Sequence, residues 1–249
     1  MMFKAIAVSV LSLVIMACES ESPATQAEIV KEKSATEKPV ASEIKEVSKY
    51  TAEVVPEKMT VQEKKERFRQ LILPAVKKVF SELNQQYEQT KVLLKTNDNP
   101  DHITKLKAAY KAVSDEDLLL RLKPHPVSIV LAQAAMESAW ATSRFFKEAK
   151  NIFGVWSFDK SEARIAAGEK RGKKTIWLKK YSTIEAAIRD NYRVLARGSA
   201  FSKFRKLRMK SSDPYKLVKG LDKYSELGAR YGKELAAVIR YNKFQQFDL

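Results

Sequence analysis

The chain of 249 residues has one cysteine, Cys18, and two histidines, His102 and His125. A single thiol excludes an intramolecular disulfide, so the folded part must stand on its apolar core. The same scarcity leaves too few ligands for a structural zinc site, and no metal or cofactor is implied. His125 lies in Lys123-Pro-His-Pro126, a rigid extended lead-in to a helix, and reads as structural. Long apolar runs are also missing. The uncharged stretch from Ala5 to Ala17 holds thirteen residues, too few to span a bilayer comfortably.

That stretch instead suits the apolar region of an export signal, with Met1 to Lys4 as its short positive start. It ends in Ile15-Met16-Ala17-Cys18, which resembles the lipobox of bacterial lipoproteins. The resemblance implies a signal peptide over 1–17, lipidation of Cys18, and a membrane lipoprotein facing the periplasm in a bacterial envelope. An ordinary signal peptide with a chance cysteine is the plainer alternative.

Residues 19–58 contain no Gly, Phe, Trp or Leu and are rich in Glu, Lys, Ser, Ala, Thr and Pro. Such a composition buries too little apolar surface to offset chain entropy, so 18–58 is expected to be a disordered tether. From Cys18 to Lys58 there are nine acidic and six basic residues, net −3. Residues 59–249 then hold 39 Lys and Arg against 21 Asp and Glu, net +18. The positive charge belongs to the folded part and implies an anionic partner. Export places the chain away from nucleic acid, and a cell-wall polymer or a phospholipid surface suits the compartment.

Helical periodicity runs over 59–95 (Phe68, Leu71, Ile72, Val76, Val79, Phe80, Leu83, Tyr87), with a break or bend expected at Pro74. A loop at Thr96 to Asp101 precedes a short helix over 102–113, and Ser114 to Asp117 resembles a capping box for the next helix at Leu118. Beyond Asn151 the pattern changes: glycines at 154, 168 and 172, β-type residues at 152–156, and a hairpin strand over Thr175 to Tyr181. A helix from Ser182 to Gly198, with Glu185 as partner of a Ser182 cap, is followed by a short one from Asp213 and a last one over 230–243. The expected fold class is α+β, mostly helical, with one small β-hairpin lobe. The expected divisions are a helical region over 59–117 and a second domain over 118–249.

One glutamate, Glu137, stands alone among seventeen otherwise uncharged residues, Val127 to Ser143. At helical spacing it shares a face with Val130, Gln133, Ala134, Trp140 and Ala141, and the other faces are apolar too. Burial there raises a carboxyl pKa toward neutrality, as a general acid requires. A salt-bridged core glutamate is the plainer alternative.

Ala132-Gln-Ala-Ala-Met-Glu137-Ser-Ala-Trp140-Ala-Thr-Ser143, followed by Asn151-Ile-Phe-Gly154-Val, resembles the core motif of bacterial β-N-acetylglucosaminidases of glycoside hydrolase family 73. Tyr224-Ser-Glu-Leu-Gly-Ala-Arg-Tyr231 and Leu235 to Phe244 resemble its Bax-like branch. The resemblance covers about 118–249. It implies a lysozyme-like domain that cuts the β-1,4 bond after N-acetylglucosamine in peptidoglycan glycan strands, with Glu137 as general acid. Gln133 would line the cleft or orient the acid, and Trp140 is either a sugar platform or a core residue. Asn151, Phe153 and Gly154 would hold a loop under the cleft.

A second group must face the acid: a base, a nucleophile or the substrate's N-acetyl group. The resemblance implies a carboxylate from the β-lobe, where Glu169 is the leading candidate and Glu162 the next. It also implies a cleft tyrosine, Tyr224. Arg164, Lys170, Arg171, Lys173 and Lys174 crowd the same lobe and could meet muramyl-peptide carboxylates. The alternatives are a lytic transglycosylase-like enzyme and a non-catalytic wall-binding envelope lipoprotein.

Overall fold

A computed structural model describes residues 50–171 and 174–248, with the side chains of all of these except 169–171 and 174. The leader, Cys18 and the tether as far as residue 49 lie outside the described residues. The first helix, α1 (Val61–Thr96), is opened by a capping box: Thr60 Oγ1 accepts from Glu63 N, and Glu63 Oε2 accepts from Thr60 N at 2.7 Å. The helix runs through Pro74 without the expected break. Proline costs about 3 kcal/mol in a helix interior. Phe68, Ile72, Val76 and Val79 on either side of it are fully buried, and each such side chain contributes about 1.5–3 kcal/mol. Packing outweighs propensity here.

Three helices follow: α2 (Pro100–Tyr110), α3 (Asp115–Leu122) and α4 (Val127–Glu137). Ser114 caps α3 by accepting from Asp117 N. In α4 every residue from Val127 to Ala135 is buried, with α1 on one side and the last helix on another. Its first residues have no local cap, because Pro126 precedes them. The distant Asp248 supplies one, taking hydrogen bonds from Ser128 N and Ser128 Oγ at 2.7 Å each. A carboxylate suits the positive end of a helix dipole.

Two expectations for this region are corrected. The helix stops at Glu137 rather than continuing to Ser143, because Ala139, Trp140 and Ala141 all take left-handed backbone angles, with φ of 51°, 63° and 60°. Trp140 and Ala141 therefore do not share a helical face with Glu137. The tether expected to reach 58 is already docked at 51–54: Ala52 is buried, and the guanidinium of Arg67 on α1 donates to the carbonyls of Thr51, Ala52 and Val54. The same Arg67 donates to Ala141 O at 2.7 Å. One buried cation thus ties the incoming chain to the left-handed turn.

After α5 (Arg144–Ala149) comes an antiparallel hairpin, β1 (Arg164–Arg171) and β2 (Lys174–Lys179). Its register is Arg164 opposite Lys179 and Ala166 opposite Trp177, then Lys170 opposite Thr175, with an irregularity in β1 between 166 and 170. Asn151 fastens the loop below it, donating to Val155 O and Lys179 O and accepting from Val155 N, all at 2.9 Å. This is the anchoring role expected for Asn151.

Helix α6 (Ile184–Arg197) is capped by Thr183, which accepts from Ala186 N, so the cap falls one residue after the expected Ser182, and Glu185 is not its capping-box partner. Then come α7 (Ser202–Lys210), α8 (Pro214–Leu217) and α9 (Ala229–Tyr241). The whole is mostly helical with one two-stranded sheet among the described residues, the α+β class expected. Gly232 lets α9 approach closely: a Cβ there would lie 2.5 Å from the carbonyl oxygen of Val218. That contact sets the position of its neighbour Tyr231.

Candidate active site

Glu137 is the last residue of the buried helix α4, and the left-handed turn immediately turns the chain away from its carboxyl. Ser138 stabilises the turn by donating to Ala134 O and accepting from Ala141 N. Left-handed non-glycine residues cost about 1–2 kcal/mol each, and three in a row persist only where the surroundings fix them. Arg67 and Ser138 do so here.

The carboxyl ends a directed chain of hydrogen bonds. Tyr224 Oη donates to Asn191 Oδ1 at 3.4 Å, and Asn191 Nδ2 donates to Gln133 Oε1 at 3.4 Å. Gln133 Nε2 donates to Tyr231 Oη at 3.3 Å, and Tyr231 Oη donates to Glu137 Oε1 at 3.2 Å. Four elements contribute: α4 holds Gln133 and Glu137 one turn apart, α6 holds Asn191, α9 holds Tyr231, and the loop before α9 holds Tyr224. The rings of Tyr224 and Tyr231 stack with centroids 4.9 Å apart and planes 14° apart.

Burial raises the Glu137 pKa to about 7, and the Tyr231 hydrogen bond pulls it partly back. Burial, followed by the charge of Glu137, pushes both tyrosines well above the usual phenol range. The result is a carboxyl that holds its proton near neutral pH and phenols that stay neutral as hydrogen-bond donors. That combination can deliver a proton to a leaving group.

A second polar cluster lies beside Tyr224. Lys179 Nζ stands 3.4 Å from Glu162 Oε2 and 3.3 Å from Asp190 Oδ2, and Tyr181 Oη donates to Asp190 Oδ2 at 2.7 Å. Burial is the main reason the Tyr181 phenol is pushed up, followed by Asp190, Glu162 and Tyr224. Glu162, just before β1, is therefore held in an ion pair with Lys179 at the end of β2. Glu169 falls in the irregular part of β1, and its side chain lies outside the described residues, as do those of Lys170, Arg171, Lys173 and Lys174. Arg164 lies over the ring of Trp177, 4.3 Å from its centroid.

The structure gathers Glu137, Gln133 and Tyr224 into one cluster. It draws Trp140 elsewhere: that ring packs edge-on to buried Phe68 at 5.2 Å and against Phe244 at 6.2 Å, with Lys65 Nζ 5.2 Å from its centroid. Sequence reasoning missed Asn191 and Tyr231. Both leave a signal, since Asn191 is a polar residue on the apolar face formed by Ile188, Tyr192 and Leu195, and Tyr231 closes the motif that begins at Tyr224. Among the described residues, no three of His, Cys, Asp and Glu converge as metal ligands.

The motif order and this carboxyl-centred cluster on a helical domain suit a glycoside hydrolase, and the family match carries that class. Residues 117–244 match the family described as mannosyl-glycoprotein endo-beta-N-acetylglucosaminidase, and the chain belongs to that glucosaminidase family. Among solved structures it is similar to the catalytic domain of the autolysin Auto from Listeria monocytogenes, at 22% identity over 57% of this chain and 87% of that one, with a TM-score of 0.43. It is also similar to a peptidoglycan hydrolase from Sphingomonas sp. A1, at 18% identity over 58% and 85% with a TM-score of 0.40. A third is the glycoside hydrolase domain of FlgJ from Salmonella typhimurium, at 19% identity over 55% and 97% with a TM-score of 0.38. No curated protein matches the chain.

Proposed function

We propose that this protein hydrolyses the glycan strands of peptidoglycan at the β-1,4 bond after N-acetylglucosamine, with Glu137 as general acid. The observation that carries the reading is the carboxyl of Glu137, raised to about 7 by burial and joined through Tyr231, Gln133 and Asn191 to Tyr224. In this reading Glu137 protonates the leaving glycosidic oxygen. Tyr231 orients the carboxyl, Gln133 and Asn191 orient Tyr231, and Tyr224 borders the substrate.

Glu169 is the proposed second carboxylate. Its place in the β1 irregularity supports the assignment, because such bulges re-aim side chains beside active sites. Glu162 is tied to Lys179 and is the less available of the two. The net charge of +18 over 59–249 favours a polyanionic wall polymer. Lipidated Cys18 would hold the enzyme on an envelope membrane, with 19–50 as its tether and no nucleic acid as partner. Among the described residues no helix is long and apolar enough to cross a membrane.

The test is the chemistry of the product ends. Peptidoglycan digested by the chain is reduced with borohydride and analysed by mass spectrometry. Reduced N-acetylglucosamine ends support the proposal. Anhydromuramyl ends would replace it with a lytic transglycosylase.

A further inference from the structure

Away from Glu137, α1, α2, α3, α6 and α7 enclose a cavity of about 270 Å³ to which no member of the Glu137 hydrogen-bond chain contributes. Its wall carries five cations, Arg121, Lys123, Arg189, Arg193 and Arg208, and no carboxylate. Two are neutralised from beyond the wall, Arg121 by Asp117 at 2.8 Å and Arg189 by Glu82. Lys123, Arg193 and Arg208 form no ion pair among the described residues.

Arg208 is the deepest of the three. It is buried, its Nη2 donates to Leu120 O at 2.8 Å and Arg121 O at 3.3 Å, and its Nε is buried with no acceptor. Carbonyls satisfy part of a guanidinium's hydrogen bonding but bring no opposite charge, and a buried charge without a counter-charge is destabilising. The neighbourhood registers that charge. Burial and Arg205 lower the Arg208 pKa to about 9; burial and then Arg208 lower that of His125, and burial, Arg208 and Lys91 lower that of Lys123 against a smaller opposing effect of Glu88.

We propose that this cavity is a binding site for a phosphate group, held by Arg208 from below and by Lys123 and Arg193 at its mouth. Three cations without an ion pair match a phosphate dianion better than a single carboxylate, and guanidinium groups bind phosphate oxygens in a fork. Leu83, Leu106 and Leu122 line the same cavity and accept an apolar part of the ligand beside the phosphate. A soluble phosphate ester and a phospholipid headgroup share this chemistry.

The experiment is calorimetric titration and thermal unfolding of the full chain with inorganic phosphate, with acetate and chloride at matched ionic strength. Dihexanoyl phosphatidic acid, kept below its micelle concentration, is the lipid probe. Saturable binding of phosphate, with a rise in unfolding temperature beyond that in chloride, is expected. The pair Arg193→Ser with Lys123→Ser lies toward the cavity mouth, where Arg193 is exposed and Lys123 half-buried, and should keep the fold. It should weaken phosphate affinity by roughly tenfold or more, the loss expected for hydrogen bonds to charged groups. Arg208→Met should abolish binding where it folds. Tighter binding of the phosphatidic acid than of inorganic phosphate assigns a lipid headgroup, and equal binding assigns a soluble ester. Acetate binding as tightly as phosphate, no effect beyond chloride, or unchanged affinity in the Arg193→Ser, Lys123→Ser pair would overturn the proposal.

Discussion

The phenol of Tyr231 donates a hydrogen bond to Glu137 Oε1 across 3.2 Å, joining the first turn of α9 to the last residue of α4. The two residues are 94 positions apart in sequence, and nothing local in either helix requires them to meet. Their contact is a product of the fold, so the acid's properties depend on packing far from the carboxyl.

Tyr231→Phe tests that contact. The hydrogen bond lowers the Glu137 pKa against the upward push of burial. Its removal should move the alkaline limb of the pH–rate profile to higher pH. Hydrogen bonds to charged groups contribute about 1.5–3 kcal/mol, so the rate near neutral pH should fall by roughly ten- to a hundredfold as the carboxyl loses its orientation. A profile that stays in place would separate Tyr231 from the acid.

Glu137 should make the protein less stable as pH rises. Its folded pKa, about 7, lies above the ordinary glutamate value of 4.5, so the folded state keeps a proton that the unfolded chain releases. The stabilisation is complete below about 4.5 and is lost as pH climbs through 7, up to about 3 kcal/mol in total. Glu137→Gln lacks this dependence. In urea unfolding it should match wild type near pH 4.5 and exceed it at pH 8. Equal stability at both pH values would contradict the raised pKa.

Gly232→Ala should disturb the site without touching a site residue. The added Cβ meets Val218 O at 2.5 Å, and the start of α9 must shift to relieve it. Overpacking of this kind costs about 1–3 kcal/mol. Urea unfolding should register the loss, and hydrolysis should fall with it because Tyr231 moves.

Arg67→Met should release both segments that this guanidinium holds, residues 51–54 and the turn at Ala141. The freed carbonyls and the emptied site should cost about 2–4 kcal/mol. Limited proteolysis should then cut near 51–54, where wild type resists. Arg67→Lys should not rescue it, because an ammonium cannot span carbonyls that a planar fork reaches together.

The sequence made the helix carrying Glu137, the hairpin and the closing helices legible, because each rests on local periodicity, caps or glycines. It also made Glu137 conspicuous, a lone charge in an apolar stretch. What local pattern could not show was the outcome of competition with distant contacts. Pro74 argued for a break, and the buried stripe around it overrode that. Trp140 continued the helical spacing, but three left-handed residues held by Arg67 and Ser138 carried it to Phe68. In helix α7, Arg205 and Arg208 are buried because their guanidinium groups satisfy the carbonyl ends of α6 and α3, partners that local pattern does not reveal. Asn191 and Tyr231 acquire meaning only when four elements converge.

The most direct test of the central claim is release of soluble fragments from purified peptidoglycan by wild type and by Glu137→Gln. Wild type should release fragments with N-acetylglucosamine reducing ends, with a rate that declines as pH rises above about 7. The variant should keep its fold and its wall binding and release at least a hundredfold less, within the ~10²–10⁴ range of a general acid's contribution. Fragment release by Glu137→Gln at the wild-type rate would remove Glu137 from the chemistry and contradict the account.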